Sequence, residues 1–342
     1  MKKIKFGIVG CGRIGLRHAE HIAHYAELVA VCDANIAKAQ EIGLQHGCKV
    51  YQNIDEMLSQ PGLDIVSICT PNGLHASHSV AALQSGVNVL CEKPMAISVE
   101  DCEWMIQEAE KANKRLFVVK QNRYNPPIVA LKEAIQSGKL GKIYSVQLNC
   151  FWNRNEDYYK SSDWKGKKDL DGGTLFTQFS HFIDLLYWLI GDVRKVFAMI
   201  ENFAHEDFVE FEDTGVVAFE FSNGALGTIH YTVNSYRKNM EGSITIFAEK
   251  GTVKVGGQYL NVLEYQNMES SDLQVAETSA KANDYGSYQG SMSNHDKVIE
   301  NVVDVLQGNA SVTTSHLEGL KTVQIIEKIY EGAGKRVKVG ML

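Results

Sequence analysis

The sequence predicts an α/β protein in two parts: a mostly parallel sheet layered between helices, then an α+β region with a large open, mostly antiparallel sheet. Three observations predict this. The chain has 342 residues, long for a single core. Short apolar runs alternate with helical stretches up to about residue 122. Beyond it the patterning changes to period two, with a hairpin signal. Apolar residues at 44% and charged residues at 22% describe an ordinary globular chain. A net charge of -7 gives no broad pull toward nucleic acid or an anionic membrane surface.

Lys5–Val9 is an apolar run ending at a glycine cluster, and Arg13–His24 then reads as a helix. Further strands are expected at Leu28–Cys32, Asp64–Cys69, Val87–Cys91 and Leu116–Val119, with helices around 35–46, 74–85 and 98–113 between them. Strands alternating with helices argue for βαβ crossovers and a parallel sheet covered on both faces.

The turn from the first strand into the first helix is Gly10-Cys11-Gly12-Arg13-Ile14-Gly15, a G-x-G-x-x-G pattern. Gly10 permits the tight turn, Gly12 lets backbone N–H groups approach a pyrophosphate, and Gly15 lets helix and strand pack closely. The helix N-terminus favours the phosphate charge. Asp33 follows at the end of the second strand, 18 residues beyond Gly15, suitably placed to accept from an adenosine ribose. A ribose-binding Asp repels a 2′-phosphate, and Ala34-Asn35 supplies no arginine to receive one. The reading is a Rossmann dinucleotide-binding domain over residues 1–122 that takes NAD rather than NADP. The alternative, glycines that only make a turn, leaves Asp33 unexplained.

Residues Asn125–Ser137, with Pro126-Pro127 at their start, read as an amphipathic helix stopped by Gly138. Val193–Ile200, Thr214–Phe221, Leu226–Val233, Ser243–Phe247, Val253–Val255 and Asn261–Tyr265 alternate as strands, and Ser222-Asn223-Gly224-Ala225 is a hairpin turn. Glu277–Gln289 reads as a long loop, and Ser291–Leu306 and Ser315–Tyr330 as closing helices that return to the first domain. Residues 123–342 are thus expected to form a substrate-binding and oligomerisation domain, its open sheet face covered by a second copy, as a dimer or tetramer.

Seven cysteines are scattered without a C-x-x-C pair, mostly inside apolar runs, which fits buried reduced thiols and a cytoplasmic setting. The basic-then-apolar start is interrupted by Gly7, Gly10, Gly12 and Arg13, which speaks against a signal peptide. No run approaches the roughly 18 apolar residues of a membrane span. His18, His21 and His24 share a helix face, but no nearby carboxylate or cysteine completes a metal set, so no metal is expected.

Glu92-Lys93-Pro94 follows the Val87–Cys91 strand at the sheet edge where ligands of open α/β sheets bind. Lys93 reads either as a proton-exchanging active-site lysine or as a surface lysine beside Glu92. Thr70-Pro71-Asn72-Gly73-Leu74-His75 follows another strand at that edge and could shape a nicotinamide pocket. His181 lies in an apolar helix after Gly172-Gly173, as a core histidine or an acid/base. Arg123, Arg154, Lys167 and Arg237 are candidate donors to anionic groups. Trp152, Tyr158, Tyr159 and Trp164 offer apolar faces for a sugar or base, or else core and interface packing.

These motifs together resemble the glucose–fructose oxidoreductase / inositol dehydrogenase / MocA family over essentially the whole chain. The matches are G-x-G-x-x-G, Pro71-Asn72, Glu92-Lys93-Pro94, Gly172-Gly173 with His181-x-x-Asp184, and Trp188-Leu189-x-Gly191. The resemblance implies NAD-dependent oxidation of a sugar-like hydroxyl flanked by Lys93 and His181. It also implies a Lys93–Pro94 bond that is often cis. Many sugar and inositol dehydrogenases of the family have Asp four residues before the His; here Thr177 stands there, followed by Gln178.

More narrowly the chain looks like UDP-N-acetylglucosaminuronate 3-dehydrogenases of bacterial surface-polysaccharide synthesis. That likeness rests on Gln121–Pro126, Phe151–Arg154, Trp164–Gly166, Lys238–Ser243 and Tyr288–His295. It implies oxidation of the C3 hydroxyl of a UDP-sugar, and, as in some of those enzymes, NAD recycled by reduction of 2-oxoglutarate. The cofactor set is then Gly10–Gly15, Asp33, Thr70, Pro71, Asn72, His75, Glu92, Lys93 and Gln121. The substrate set is Lys93, Arg123, Asn125, Arg154, Tyr159, Trp164, Thr177, Gln178, His181 and Arg237. Two rivals stand beside it: an inositol or free-sugar dehydrogenase, and a non-catalytic NAD-binding regulator.

Overall fold

A computed structural model describes residues 3–277, 282–284, 289–313 and 315–334. It divides into two compact units. The first comprises residues up to 121 together with 169–172 and 294–323, and the second holds 122–168, 173–293 and the chain from 324 on.

In the first unit β1 (Lys5–Val9), α1 (Arg13–Tyr25), β2 (Glu27–Cys32), α2 (Ile36–His46), β3 (Lys49–Tyr51) and α3 (Ile54–Leu58) follow in order. Then come β4 (Ile65–Ile68), α4 (His75–Gln84), β5 (Asn88–Cys91), α5 (Val99–Lys111) and β6 (Leu116–Val118). The strands pair in the order β3-β2-β1-β4-β5-β6, all parallel, the Rossmann order expected. Phe6, Ile8, Val31, Ile65, Val66, Val89 and Leu90 are fully buried, as a strand covered on both faces requires. β3 and α3 are additions to the sequence reading; three and five residues are too short to show a period.

Local chemistry sets the helix ends. Asn35, Asn53 and Ser98 cap α2, α3 and α5 by accepting backbone N–H groups two or three residues on. Gly47, at φ 65°, closes α2 in the left-handed conformation.

The second unit contains α6 (Pro126–Gln136), β7 (Ile143–Phe151), α7 (Glu156–Lys160), α8 (Thr174–Thr177) and α9 (Ser180–Ile190). Strands β8 (Val193–Glu201), β9 (Thr214–Phe221), β10 (Leu226–Thr232), β11 (Glu241–Ala248), β12 (Gly251–Gly256) and β13 (Val262–Met268) follow. With β7 they form a seven-stranded sheet, β13-β12-β11-β7-β10-β9-β8, antiparallel except where β7 runs parallel to β10. β7, the central strand, is an element the sequence reading lacks.

One face of this sheet carries Val146, Leu148, Val217, Phe219, Ile229, Tyr231, Ile244 and Ile246, all buried. The other carries Phe197 and Met199, 67% and 74% exposed, with Val216, Leu226 and Phe247 also exposed. Register places Met199 opposite Val216 and Phe197 opposite Ala218, so these side chains share one apolar surface.

The expected loop over 277–289 is corrected in part. β14 (Ala282–Asp284) pairs antiparallel with β15 (Gln289–Met292), so the following helix begins later than expected; residues 278–281 and 285–288, Tyr288 included, lie outside the described residues. α10 (His295–Leu306) packs on α1 in the first unit, and α11 (His316–Gly334) completes the order. No described helix is long and apolar enough to cross a membrane.

Candidate active site

In the first unit the expected cofactor residues gather at the carboxyl ends of the parallel strands. Gly10 follows β1 at φ 95°, and a Cβ there would meet the Cys69 carbonyl carbon and oxygen at 2.6 Å. A Cβ on Gly15 would lie 2.1 Å from the Gly10 carbonyl oxygen, so α1 can pack here only as glycine. Gly12 differs: a Cβ there meets nothing within 4 Å, and no side chain caps α1. An open cradle at a helix N-terminus is what a pyrophosphate needs. Asp33 leans into the same turn, its Oδ2 accepting the Cys11 N–H at 2.7 Å and its Oδ1 the Asn35 N–H at 2.8 Å. These residues fit a dinucleotide. Arg13 and Ile14 begin α1, and Cys11 is buried, its thiol pushed up to about 12 by burial and by Asp33.

Beyond β4, Asn72 donates to the Asp171 carbonyl at 2.8 Å, and Pro71 opens a short 3-10 turn. His75 has its Nδ1 2.7 Å from the Pro94 carbonyl oxygen and its Nε2 2.9 Å from that of Thr70. Burial lowers its pKa. The ring thus braces the main chain on either side.

Beyond β5, the Lys93–Pro94 peptide is cis and Lys93 is half-buried. Glu92 ties this turn to two histidines. Its Oε2 accepts the Lys93 N–H at 3.0 Å, while Oε1 lies 2.9 Å from His18 Nε2 and 3.3 Å from His295 Nε2. The expectation that no carboxylate stands near His18 is therefore corrected: the ligating atoms of His18, Glu92 and His295 lie within 4.8 Å of one another. His18 and Glu92 are far apart in sequence, so spacing gave no signal for the pair. Gln121, after β6, is buried and accepts from Asn294 through its carbonyl.

The second unit holds the expected substrate residues other than Lys93. His181 is in the first turn of α9 and is 6% exposed. Three residues on, Asp184 binds Arg123 through two bonds, Nε to Oδ2 at 2.8 Å and Nη2 to Oδ1 at 2.7 Å. Arg123 also lies over the Trp188 ring. The donor expected for an anionic substrate is thus engaged internally.

Arg154 is likewise buried. Its Nε donates to Gln178 Oε1 at 2.7 Å and its Nη1 to the Asn153 carbonyl at 2.6 Å, with the Trp152 and Tyr158 rings about it at 5.0 and 5.1 Å. Gln178 in turn donates to the Tyr158 hydroxyl. The reading missed what anchors this segment: His205 bridges the Arg154 carbonyl (2.8 Å) and Asp213 Oδ2 (2.9 Å). Burial opposes the charge on Asp213, but His205 and backbone donors outweigh it and hold its carboxyl at about 2.

Asn125 is fully buried and donates to the Tyr259 and Leu260 carbonyls. Tyr159, 3% exposed, packs with Tyr158 and Val209, and Trp152 lies against Phe179 and Phe182, so these aromatics are core. Trp164 and Thr177 are half-buried. Arg237 and Lys167 are exposed, Arg237 at φ 63° with its guanidinium over Tyr236.

A glycine-turn Rossmann unit with a lysine at the carboxyl edge, followed by an open-sheet unit with a buried histidine, defines an NAD-dependent oxidoreductase. The chain belongs to the GFO/IDH/MocA family. Residues 4–120 match its oxidoreductase domain, described as an NAD-binding Rossmann fold, and residues 128–254 match its C-terminal domain.

Among solved structures the chain is similar to the WlbA dehydrogenase of Bordetella pertussis in complex with NADH and UDP-GlcNAcA. That likeness has 38% identity and a TM-score of 0.89, covering 98% of each chain. The WlbA dehydrogenase of Chromobacterium violaceum, with the same two ligands, is 35% identical at a TM-score of 0.89, covering 100% of this chain and 98% of that one. The myo-inositol 2-dehydrogenase of Thermotoga maritima is 29% identical over 73% of this chain and 74% of its own length.

Proposed function

We propose that the chain oxidises the C3 hydroxyl of a UDP-N-acetylated glucuronic acid to the 3-keto sugar nucleotide. The observation that carries this is the end-to-end likeness to two dehydrogenases whose structures hold NADH and UDP-GlcNAcA. NAD held by the glycine turn and Asp33 supplies the hydride acceptor. The chain's own work is on the proton: as the C3–H bond breaks and the carbonyl forms, the hydroxyl proton passes to Lys93 or His181, and the other steadies the oxygen. With Arg123 and Arg154 engaged internally, the exposed Arg237 and Lys167 are the donors to diphosphate or uronate, and Trp164 offers a ring face. Recycling of bound NAD by 2-oxoglutarate, and a homo-oligomer closed over the apolar sheet face of Phe197 and Met199, belong to the same reading.

The test is the absorbance of reduced nicotinamide after adding UDP-GlcNAcA to the protein with NAD, with and without 2-oxoglutarate. A rise without the keto acid, turned over with it, is expected. Lys93→Met and His181→Asn, each still folded, should lower kcat by about 10²-fold or more. Near-normal turnover in either would remove that residue from the reaction. No signal with UDP-GlcNAcA but turnover with myo-inositol would move the chain to the inositol dehydrogenases, the relation with the Thermotoga enzyme.

A further inference from the structure

The carboxylate of Glu92 stands where four segments of the first unit converge. It follows β5, and its N–H still belongs to the sheet, donating to the Ile68 carbonyl at 3.0 Å. The next amide, that of Lys93, instead donates to Glu92 Oε2. The catalytic turn is therefore held at its first peptide by one side chain. That side chain is fixed in turn by His18, in the second turn of α1, the helix that begins on the dinucleotide cradle. His295, the first residue of α10, approaches the same oxygen, with the two imidazoles edge to face at 5.5 Å. His18 is oriented from behind by Ser67 of β4, whose Oγ lies 2.7 Å from Nδ1.

All three members are nearly inaccessible, at 0%, 4% and 2% exposure for His18, Glu92 and His295. A buried carboxylate without partners would take up a proton or turn toward solvent. Here burial opposes charge on both His18 and Glu92, but their mutual bond, with Cys69 beside His18 and His295 beside Glu92, outweighs it. His18 is held up at about 10 and Glu92 well below the usual carboxylate range. His295 is lowered by burial and stays neutral. With Ser67 taking Nδ1 and Glu92 taking Nε2, His18 has one orientation open to it.

We propose that His18, Glu92 and His295 are positioning residues that set Lys93 in register with the cofactor-binding helix, so that the cradle and the proton-exchanging lysine are placed by one shared carboxylate. This rests on the assignment of Lys93 to the reaction. In this role the three act through Lys93.

The test compares His18→Leu, which removes the donor, with His18→Gln, whose amide can still reach Glu92, and with Glu92→Gln. Amide hydrogen exchange of the NAD-bound protein is read at Lys93 and across β4 and β5. Exchange at Lys93 should rise about tenfold or more in His18→Leu and Glu92→Gln with β4 and β5 unchanged, and return toward wild type in His18→Gln. In oxidation of UDP-GlcNAcA, kcat should fall about 10- to 100-fold in His18→Leu, with KM and the Kd for NAD within about threefold. Unchanged protection at Lys93, or a His18→Gln variant as impaired as His18→Leu, would overturn the proposal. So would stoichiometric zinc in the purified protein, which would make the three residues metal ligands. Altered protection at Lys93 with undiminished kcat would leave the positioning role standing and remove Lys93 from the chemistry. If a His18 variant does not fold, Glu92→Gln carries the exchange test alone.

Discussion

Arg123 and Asp184 form a two-pronged ion pair inside the second unit, with side chains 5% and 4% exposed. Asp184 shares α9 with His181, so the pair fixes the helix that carries the acid/base candidate. Removing one partner strands a buried charge, and Arg123→Met should cost about 3–5 kcal/mol in denaturant unfolding. Arg123→Met combined with Asp184→Leu should recover most of that loss. A loss below about 1 kcal/mol in the single variant would return Arg123 to the substrate side of the site.

Gly12 and Gly15 separate folding from cofactor binding. Gly12 has φ -78°, which alanine adopts freely, and open space where its Cβ would go. Gly12→Ala should keep the wild-type unfolding midpoint while weakening NAD about tenfold or more in calorimetry. Gly15→Ala, driven into the Gly10 carbonyl, should lower both. Equal NAD affinity in Gly12→Ala would mean the pyrophosphate lies elsewhere.

Glu212 makes stability depend on pH. It accepts from Tyr330 at 2.7 Å and Tyr231 at 3.2 Å, and burial pushes its carboxyl up to about 7. A raised acid keeps its proton in the folded state after the unfolded chain has lost it. Stability therefore falls as pH rises from about 4.5 to about 7, by about 3 kcal/mol in all. Glu212→Gln should flatten that slope, matching wild type near pH 4.5 and exceeding it at pH 8. Parallel unfolding curves across this window would show that Glu212 is ionised throughout.

The apolar surface of β8–β10 predicts assembly. Phe197→Asp with Met199→Lys should shift the protein to smaller species in sedimentation velocity with its unfolding midpoint little changed. Patches of this kind are rarely left open on monomers. An unaltered sedimentation profile would place the interface on another face.

Much of this was legible in the residues. Lys5–Val9 and Thr214–Phe221 are strands over their full expected spans, the first because a continuous apolar run stops at a glycine turn, the second because it alternates over eight residues. β7 escaped notice although it is central: its fully buried side chains are only Val146, Leu148 and Cys150, a weak apolar signal beside that of β9. At the site, the glycine turn and the Glu92-Lys93-Pro94 position are local and could be read directly. The partners of Glu92, Arg123 and Arg154 could not, because His18, Asp184 and Gln178 meet them only through the fold. An arginine that binds an internal carboxylate and one that waits for a phosphate are the same letter in a sequence.

The division of the chain has a consequence for how the molecule is made. The first unit draws on residues up to 121 and then on 294–323, with most of the second unit between. At a bacterial or eukaryotic elongation rate of about 5–20 residues per second, α10 leaves the ribosome roughly 10–35 s after β6. Until then the nascent sheet lacks the helix that covers α1, and Glu92 has one imidazole instead of two. The cofactor half is begun first and finished almost last, so a chain cut short before residue 294 loses not only its end but the completion of its beginning.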